Sequence, residues 1–157
     1  MKAIIINEAD RSNKFPQLFG EEVFRQSPLF IYAENLFYSG MSQMISSYQG
    51  GYYDFIQIAE ADVEIESTGF IPLLSDNEKV TIENHFGTSA NLSAKAASLV
   101  VWIYVIEQIA HNVGGHVMQR IFKTIQDIKY SYESLLDEKG NKLFSDEDCH
   151  AIYRLID

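Results

Sequence analysis

Between Tyr32 and Tyr48 the apolar side chains Tyr32, Leu36, Phe37, Tyr38, Met41, Met44, Ile45 and Tyr48 recur at steps of three and four. That spacing predicts one face of an α-helix. Ser27 followed by Pro28 supplies its start: the serine can cap the first turn, and proline there gives up an N–H that has no intrahelical partner. Gly40 sits inside this helix and Gly50-Gly51 ends it. The period then changes. Tyr53, Phe55 and Gln57 alternate with Tyr52, Asp54, Ile56 and Ile58, which predicts a strand with both faces mostly apolar. Gly69 to Leu74 and Lys79 to Phe86 are further strand candidates, separated by the turn-like Ser75-Asp76-Asn77, so a three-stranded antiparallel meander is expected. Ala3 to Ile6 can add an N-terminal edge strand, although so short an apolar run is compatible with other structure.

The second half of the chain reads as helical. Ser93 can cap a helix running through Ala94, Ala97, Val101, Tyr104, Val105 and Ala110. After Gly114-Gly115, the residues Val117, Ile121, Ile125, Ile128, Tyr132 and Leu135 step by three or four up to the Gly140-Asn141 turn. Ser145, with Asp148 three residues on, can cap a terminal helix, although Glu or Gln is the usual third residue of such a box. With no repeat, linker or low-complexity tract, residues 1–157 are expected to form one α+β domain. Its expected content is a small three-stranded antiparallel sheet, an optional N-terminal edge strand and about four helices.

Composition narrows the function. A chain of 157 residues that is 46% hydrophobic can bury a substantial core. Its one cysteine, Cys149, cannot form an internal disulfide, and no secretory signal opens the chain, so a cytoplasmic location is expected. The apolar run from Ala96 to Ile106 is broken by Ser98, bounded by Lys95 and Glu107, and shorter than the ~20 residues of a membrane span, so a buried element is expected. The formal net charge of −10 argues against direct binding of nucleic acid or an anionic membrane. Residues 54 to 83 concentrate that charge, with eight acids against one base. A charged partner should therefore be basic, and self-association is compatible with the composition.

Reactive chemistry is hard to assemble from these residues. His85, His111, His116 and His150 lack the spacing of a paired zinc site, and no second cysteine assists them, so no metal is expected. Cys149 and His150 are helix neighbours and do not face each other. Gly50-Gly51 comes without the Gly-Lys-Ser/Thr of a phosphate loop, so no nucleotide cofactor is implied by it. No catalytic residue is assigned; a small hydrolase using His85 or His116 with a nearby carboxylate is the enzymatic alternative. The acidic segment says more. Glu60, Asp62, Glu64 and Glu66 alternate with Ala61, Val63 and Ile65, which would place four carboxylates on one face of an extended ribbon. Alternate strand residues lie about 6.6–6.8 Å apart, near the spacing of phosphates along a DNA strand. A solvated hairpin kept soluble by its charge explains the same pattern. With Asp54, Asp76, Glu78 and Glu83, these four make up the candidate partner-binding set. The aromatics Tyr32, Phe37, Tyr38, Tyr48, Tyr52, Tyr53 and Phe55 lack nearby positive charge and suit a core better than a base-stacking platform.

One stretch is more specific. Tyr48-Gln49-Gly50-Gly51-Tyr52-Tyr53-Asp54-Phe55 resembles the sharpest motif of the ArdB/KlcA-type antirestriction proteins: an aromatic, any residue, Gly-Gly, two aromatics, a polar residue and Phe. Gly69-Phe70 resembles the family's Gly-Phe strand, Leu92-Ser93-Ala94-Lys95-Ala96-Ala97 its Ser-Ala-rich helix start, and Ala151 to Asp157 its C-terminal ending. Tyr48, Gly50, Gly51, Tyr52, Tyr53, Phe55, Gly69, Phe70, Ser93 and Ala94 are read as structural members of these motifs. Tyr53 stands where the family usually has Trp and Lys95 where it often has Asp. Ile71-Pro72 departs from the family's aromatic and later proline, and the interval from Gly51 to Gly69 is longer, which suggests an extended hairpin carrying the acidic ribbon. The resemblance implies a non-enzymatic protein of mobile elements that protects incoming DNA from type I restriction enzymes, its partner being that protein complex, reached directly or indirectly. An acidic module filling the basic groove of another nucleic-acid-binding protein is the alternative.

Overall fold

The computed structural model describes residues 1–10, 29–60, 63–64 and 71–156. The expected Ser27-Pro28 helix start, and Asp62, Glu66, Gly69 and Phe70, lie outside the described residues. Within them run β1 (Lys2–Ile5), α1 (Leu29–Met44), β2 (Tyr53–Glu60), β3 (Val63–Glu64), β4 (Ile71–Leu74), β5 (Lys79–Glu83), β6 (Ser89–Ser93), α2 (Ala94–Val113), α3 (Gly115–Ser131) and α4 (Asp146–Ile156). The class is α+β, as the hydrophobic periods predict.

β2 organises the larger sheet. β1 pairs with it antiparallel from Lys2 opposite Ala59 to Ile5 opposite Ile56, so the expected N-terminal strand forms. Ile56 is also opposite Ile71, so β4 occupies the other edge, and β3 takes over there at Ala59 and Glu60. The outer side of β1 is covered in turn: Ala3 N–H donates to the Leu136 carbonyl at 2.8 Å, and Leu136 N–H to the Met1 carbonyl at 3.0 Å.

The expected meander does not form, because β5 leaves this sheet. It pairs instead with β6, from Lys79 opposite Ser93 to Glu83 opposite Ser89, as a separate two-stranded sheet. The carbonyls of Asp76 and Glu78, in the link between β4 and β5, accept N–H groups from the start of α2. A tight hairpin turn between the two strands would have to give those bonds up. β5 also stops at Glu83, short of the expected Phe86, because Asn84 turns the chain: its side-chain oxygen accepts the N–H groups of Phe86 at 3.0 Å and Thr88 at 2.9 Å.

α2 is the core helix. By length and composition Ala94–Val113 could cross a membrane, yet 67% of its apolar window is buried inside the fold, as expected for a core element. Helices α1, α3 and α4 and strand β4 pack around it. Gly40 explains itself here: a Cβ at that position would lie 2.9 Å from Val101 Cγ1, so the absent side chain lets α1 approach α2 closely. Phe37 meets Trp102 edge-on across this contact, with ring centroids 5.8 Å apart. The buried stripe of α1 is Ala33, Phe37, Met41 and Met44, whereas Tyr32 and Tyr38 of the expected apolar face are exposed. The helix ends at Met44, a turn before Tyr48, where Ile45 bridges to Ile82 of β5.

Candidate functional site at the paired-glycine corner

The chain leaves α1 and enters β2 through Gly50 and Gly51. Gly50 has φ 93°, a conformation that a side chain disfavours. A Cβ on Gly51 would lie 2.9 Å from Leu74 Cδ2, so the second glycine lets the corner lie against β4. The tyrosines on either side close the corner, because the hydroxyls of Tyr48 and Tyr53 are hydrogen-bonded to each other. The Tyr53 ring packs edge-on against Phe37 at 5.3 Å and Tyr38 at 5.6 Å. Burial, and then the bond to Tyr48, push the Tyr53 phenol well above its ordinary pKa. Phe55 is half-buried on β2. Tyr48, Gly50, Gly51 and Tyr53 thus build the corner itself. Tyr52 differs: its side chain is 90% exposed, while its carbonyl accepts Ser75 N–H at 2.9 Å.

The corner faces the beginning of α2, where the first N–H groups of a helix have no partner within it. Here all four are satisfied. Ser93 N–H donates to Asp148 Oδ1 at 2.9 Å. Ala94 N–H donates to the Glu78 carbonyl at 2.8 Å and Lys95 N–H to the Asp76 carbonyl at 3.1 Å. Ala96 N–H donates to Ser93 Oγ at 3.1 Å, the cap expected from the sequence. The Ser93 hydroxyl then donates to Asp148 Oδ2 at 2.7 Å. A carboxylate at this end also complements the partial positive charge of the helix start. Asp148 was expected to complete a box with Ser145, and its N–H does donate to Ser145 Oγ at 3.1 Å. Its carboxylate, however, is spent on Ser93, and Lys79 Nζ lies 3.7 Å from it and 3.5 Å from Glu147.

A cleft of about 340 Å³ opens at this junction, lined by Gly50, Gly51, Asp76, Glu78 and Lys79 among others. Two members of the acidic set therefore rim the motif. Asp76 also folds its own loop, Oδ1 accepting Glu78 N–H at 2.8 Å. Asp54, half-buried at the start of β2, accepts the Ser75 hydroxyl at 3.1 Å. Glu60 and Glu83 are exposed at strand ends. The register sets Glu60 opposite Val63 and Ala59 opposite Glu64, so the chain reverses between residues 60 and 63. Glu60 and Glu64 therefore lie on two paired antiparallel strands rather than along one extended strand. Lys79, the pairing of Asp148 with Ser93 and the exposure of Tyr52 were not singled out from sequence, since each depends on contacts or solvent access across the fold.

The histidines gather no metal site: among the described residues no group of three or more His, Cys, Asp or Glu could hold an ion. His85 stacks edge-on with Tyr104 at 5.8 Å and His111 with Phe122 at 5.6 Å. Cys149 is buried, and burial raises its thiol pKa.

No family model matches the chain. It is 27% identical, over 97% of its length and 93% of the relative's, to YubI of Escherichia coli strain K12, named as a candidate antirestriction protein. A solved structure from a study of the KlcA and ArdB proteins superposes with a TM-score of 0.71 at 22% identity, covering 99% of this chain and 94% of the other. Those proteins are described as having a novel fold and antirestriction activity against type I DNA restriction systems in vivo but not in vitro. The chain thus shares the fold of the structure solved in the KlcA and ArdB study, and its sequence is similar along its length to an antirestriction relative.

Proposed function

We propose that this protein shields incoming DNA from type I restriction by occupying a protein surface in the cytoplasm rather than by turning over a substrate. The end-to-end likeness to antirestriction relatives, in sequence and in fold, is the observation that carries this reading. The net charge of −10 favours a basic protein partner over DNA itself. The activity of KlcA and ArdB in cells but not with purified components supports an indirect route, through a component found only in the cell. The contact face comprises Tyr52 as an aromatic anchor with Asp54, Asp76 and Glu78 near it, and Glu60, Asp62, Glu64, Glu66 and Glu83 as further charge. An exposed tyrosine amid carboxylates suits a basic partner, because Tyr buries much area at low entropic cost while the acids steer the encounter.

Phage plating tests the reading. Expression in cells that carry different type I systems should raise plating of unmodified phage in at least one. Unchanged restriction in all of them rejects the assignment. Replacing Glu60 and Asp62, Glu64 and Glu66 by their amides separates the roles of the ribbon. Lost protection assigns it to partner binding, in the manner of a module seated in a basic groove; retained protection assigns it to solubility.

A further inference from the structure

A separate cleft of about 670 Å³ lies between the β5–β6 turn, the C-terminal half of α2 and the end of α4. Asn84, only 8% exposed, builds its floor. Its oxygen holds the turn through Phe86 and Thr88, while Nδ2 donates to the Leu155 carbonyl at 3.2 Å and the Tyr104 hydroxyl at 3.3 Å. Tyr104 itself donates to the Leu155 carbonyl. One buried amide thereby fixes all three walls, and a fixed wall spares a ligand the entropic cost of ordering the site.

The rim is the opposite. Glu107, Gln108, His111 and Asn112 line the cleft from α2, and none of their side chains makes a hydrogen bond with the described residues. Phe86, 85% exposed, stands at the tip of the turn beside His85. Arg154 Nη2 donates to the Ser89 carbonyl at 3.3 Å, which leaves most of its five-donor fork available. Arg154 stands here against the single carboxylate of Glu107, with His85 and His111 beside them. With histidines counted neutral the lining carries no net charge, in a chain of net charge −10.

We infer that this cleft binds a purine nucleotide. Its volume lies within the few hundred to ~1,000 Å³ usual for small-molecule sites. Gln108 and Asn112 are four residues apart on one helix and so neighbours, each offering a carboxamide donor and acceptor of the kind that pairs with the edge of adenine. The Phe86 ring offers a stacking face to a planar base. Arg154 suits a phosphate through paired N–H donors, with the histidines as further donors. Glu107 can accept from a ribose hydroxyl or an exocyclic amine. A polynucleotide would meet the acidic remainder of the surface; a mononucleotide does not.

Calorimetry with the purified full-length chain tests this, using AMP, adenosine and inorganic phosphate as probes. AMP should bind with a Kd of about 0.1 mM, at least about tenfold tighter than phosphate. Arg154→Gln should weaken AMP about tenfold and adenosine less than about twofold, whereas Phe86→Ala should weaken both about tenfold. Because Arg154 also holds Ser89, the unaltered protein gives an independent readout: nuclear Overhauser contacts between the base protons and the Phe86 ring. No AMP binding at about 5 mM, equal affinity for AMP and phosphate, or a missing Phe86 contact in the bound state would overturn the proposal.

Discussion

Ser93 and Asp148 are joined twice, the serine amide donating to Oδ1 at 2.9 Å and its hydroxyl to Oδ2 at 2.7 Å. Asp148 is 5% exposed, so little water could replace either bond. Ser93→Ala removes one of these bonds and the acceptor for Ala96 N–H. The expected loss is roughly 1–3 kcal/mol, read as a lower urea midpoint at unchanged slope. A midpoint equal to the parent's would show that the junction of β6, α2 and α4 does not depend on this pair.

Gly40→Ala places a methyl group against Val101, whose two branches leave it little freedom to yield. Destabilisation by about 1–3 kcal/mol is expected, despite the better helix propensity of alanine. Val101→Ala in the same chain should recover part of that loss. A double-mutant cycle showing simple additivity would remove the steric explanation.

Tyr52→Ala touches no core contact, so its unfolding free energy should stay within about 0.5 kcal/mol of the parent's. Protection of phage should nevertheless fall if the exposed ring anchors the partner. Full protection by the variant would take Tyr52 out of the contact face.

Tyr53 and Tyr104 both hold their phenols above the ordinary value of 10.0, each chiefly through burial. For an acid raised in this way the neutral form belongs to the fold. The stability it contributes is therefore complete below the unfolded value of 10.0 and is lost as pH rises through the folded values. Ultraviolet titration should show Tyr53 and Tyr104 ionising late, and chemical unfolding should become easier above about pH 10. Tyr53→Phe should lessen that alkaline sensitivity; an unchanged profile would assign the effect elsewhere.

Cys149 is buried with Sγ 4.0 Å from the Phe144 carbonyl, and burial first, then nearby carboxylates, keeps it a thiol beyond its usual range, with Lys142 opposing. Alkylation at neutral pH should run about a hundredfold slower than in the urea-unfolded chain. Comparable rates would mean that α4 opens readily.

Elements with a strong period or a cap were legible in advance. Ser93 begins α2, Ile121, Ile125 and Ile128 face the core from α3, and β1 pairs as the isoleucine run suggested. β6 was missed because Ser-Ala-Asn-Leu-Ser carries none of the β-branched residues that favour strands, and only its partner β5 makes it one. The meander failed for a related reason: local turn chemistry at Ser75-Asp76-Asn77 was read correctly as a turn, but what its carbonyls bond lies at residues 94 and 95. The site divides similarly. Gly50 and Gly51 announced a corner, while its acidic rim and the exposed ring of Tyr52 depended on which strand the chain joined next.

The covering of β1 by Leu136 sets an order on synthesis. The backbone groups that Met1 and Ala3 bond at Leu136 leave the ribosome well after β1 and β2 have both been made. β1 can find β2 earlier, but its outer edge stays open to other chains until Leu136 has emerged. A nascent protein stalled between β2 and that residue would present an unpaired strand, so chaperone dependence should fall once Leu136 is available.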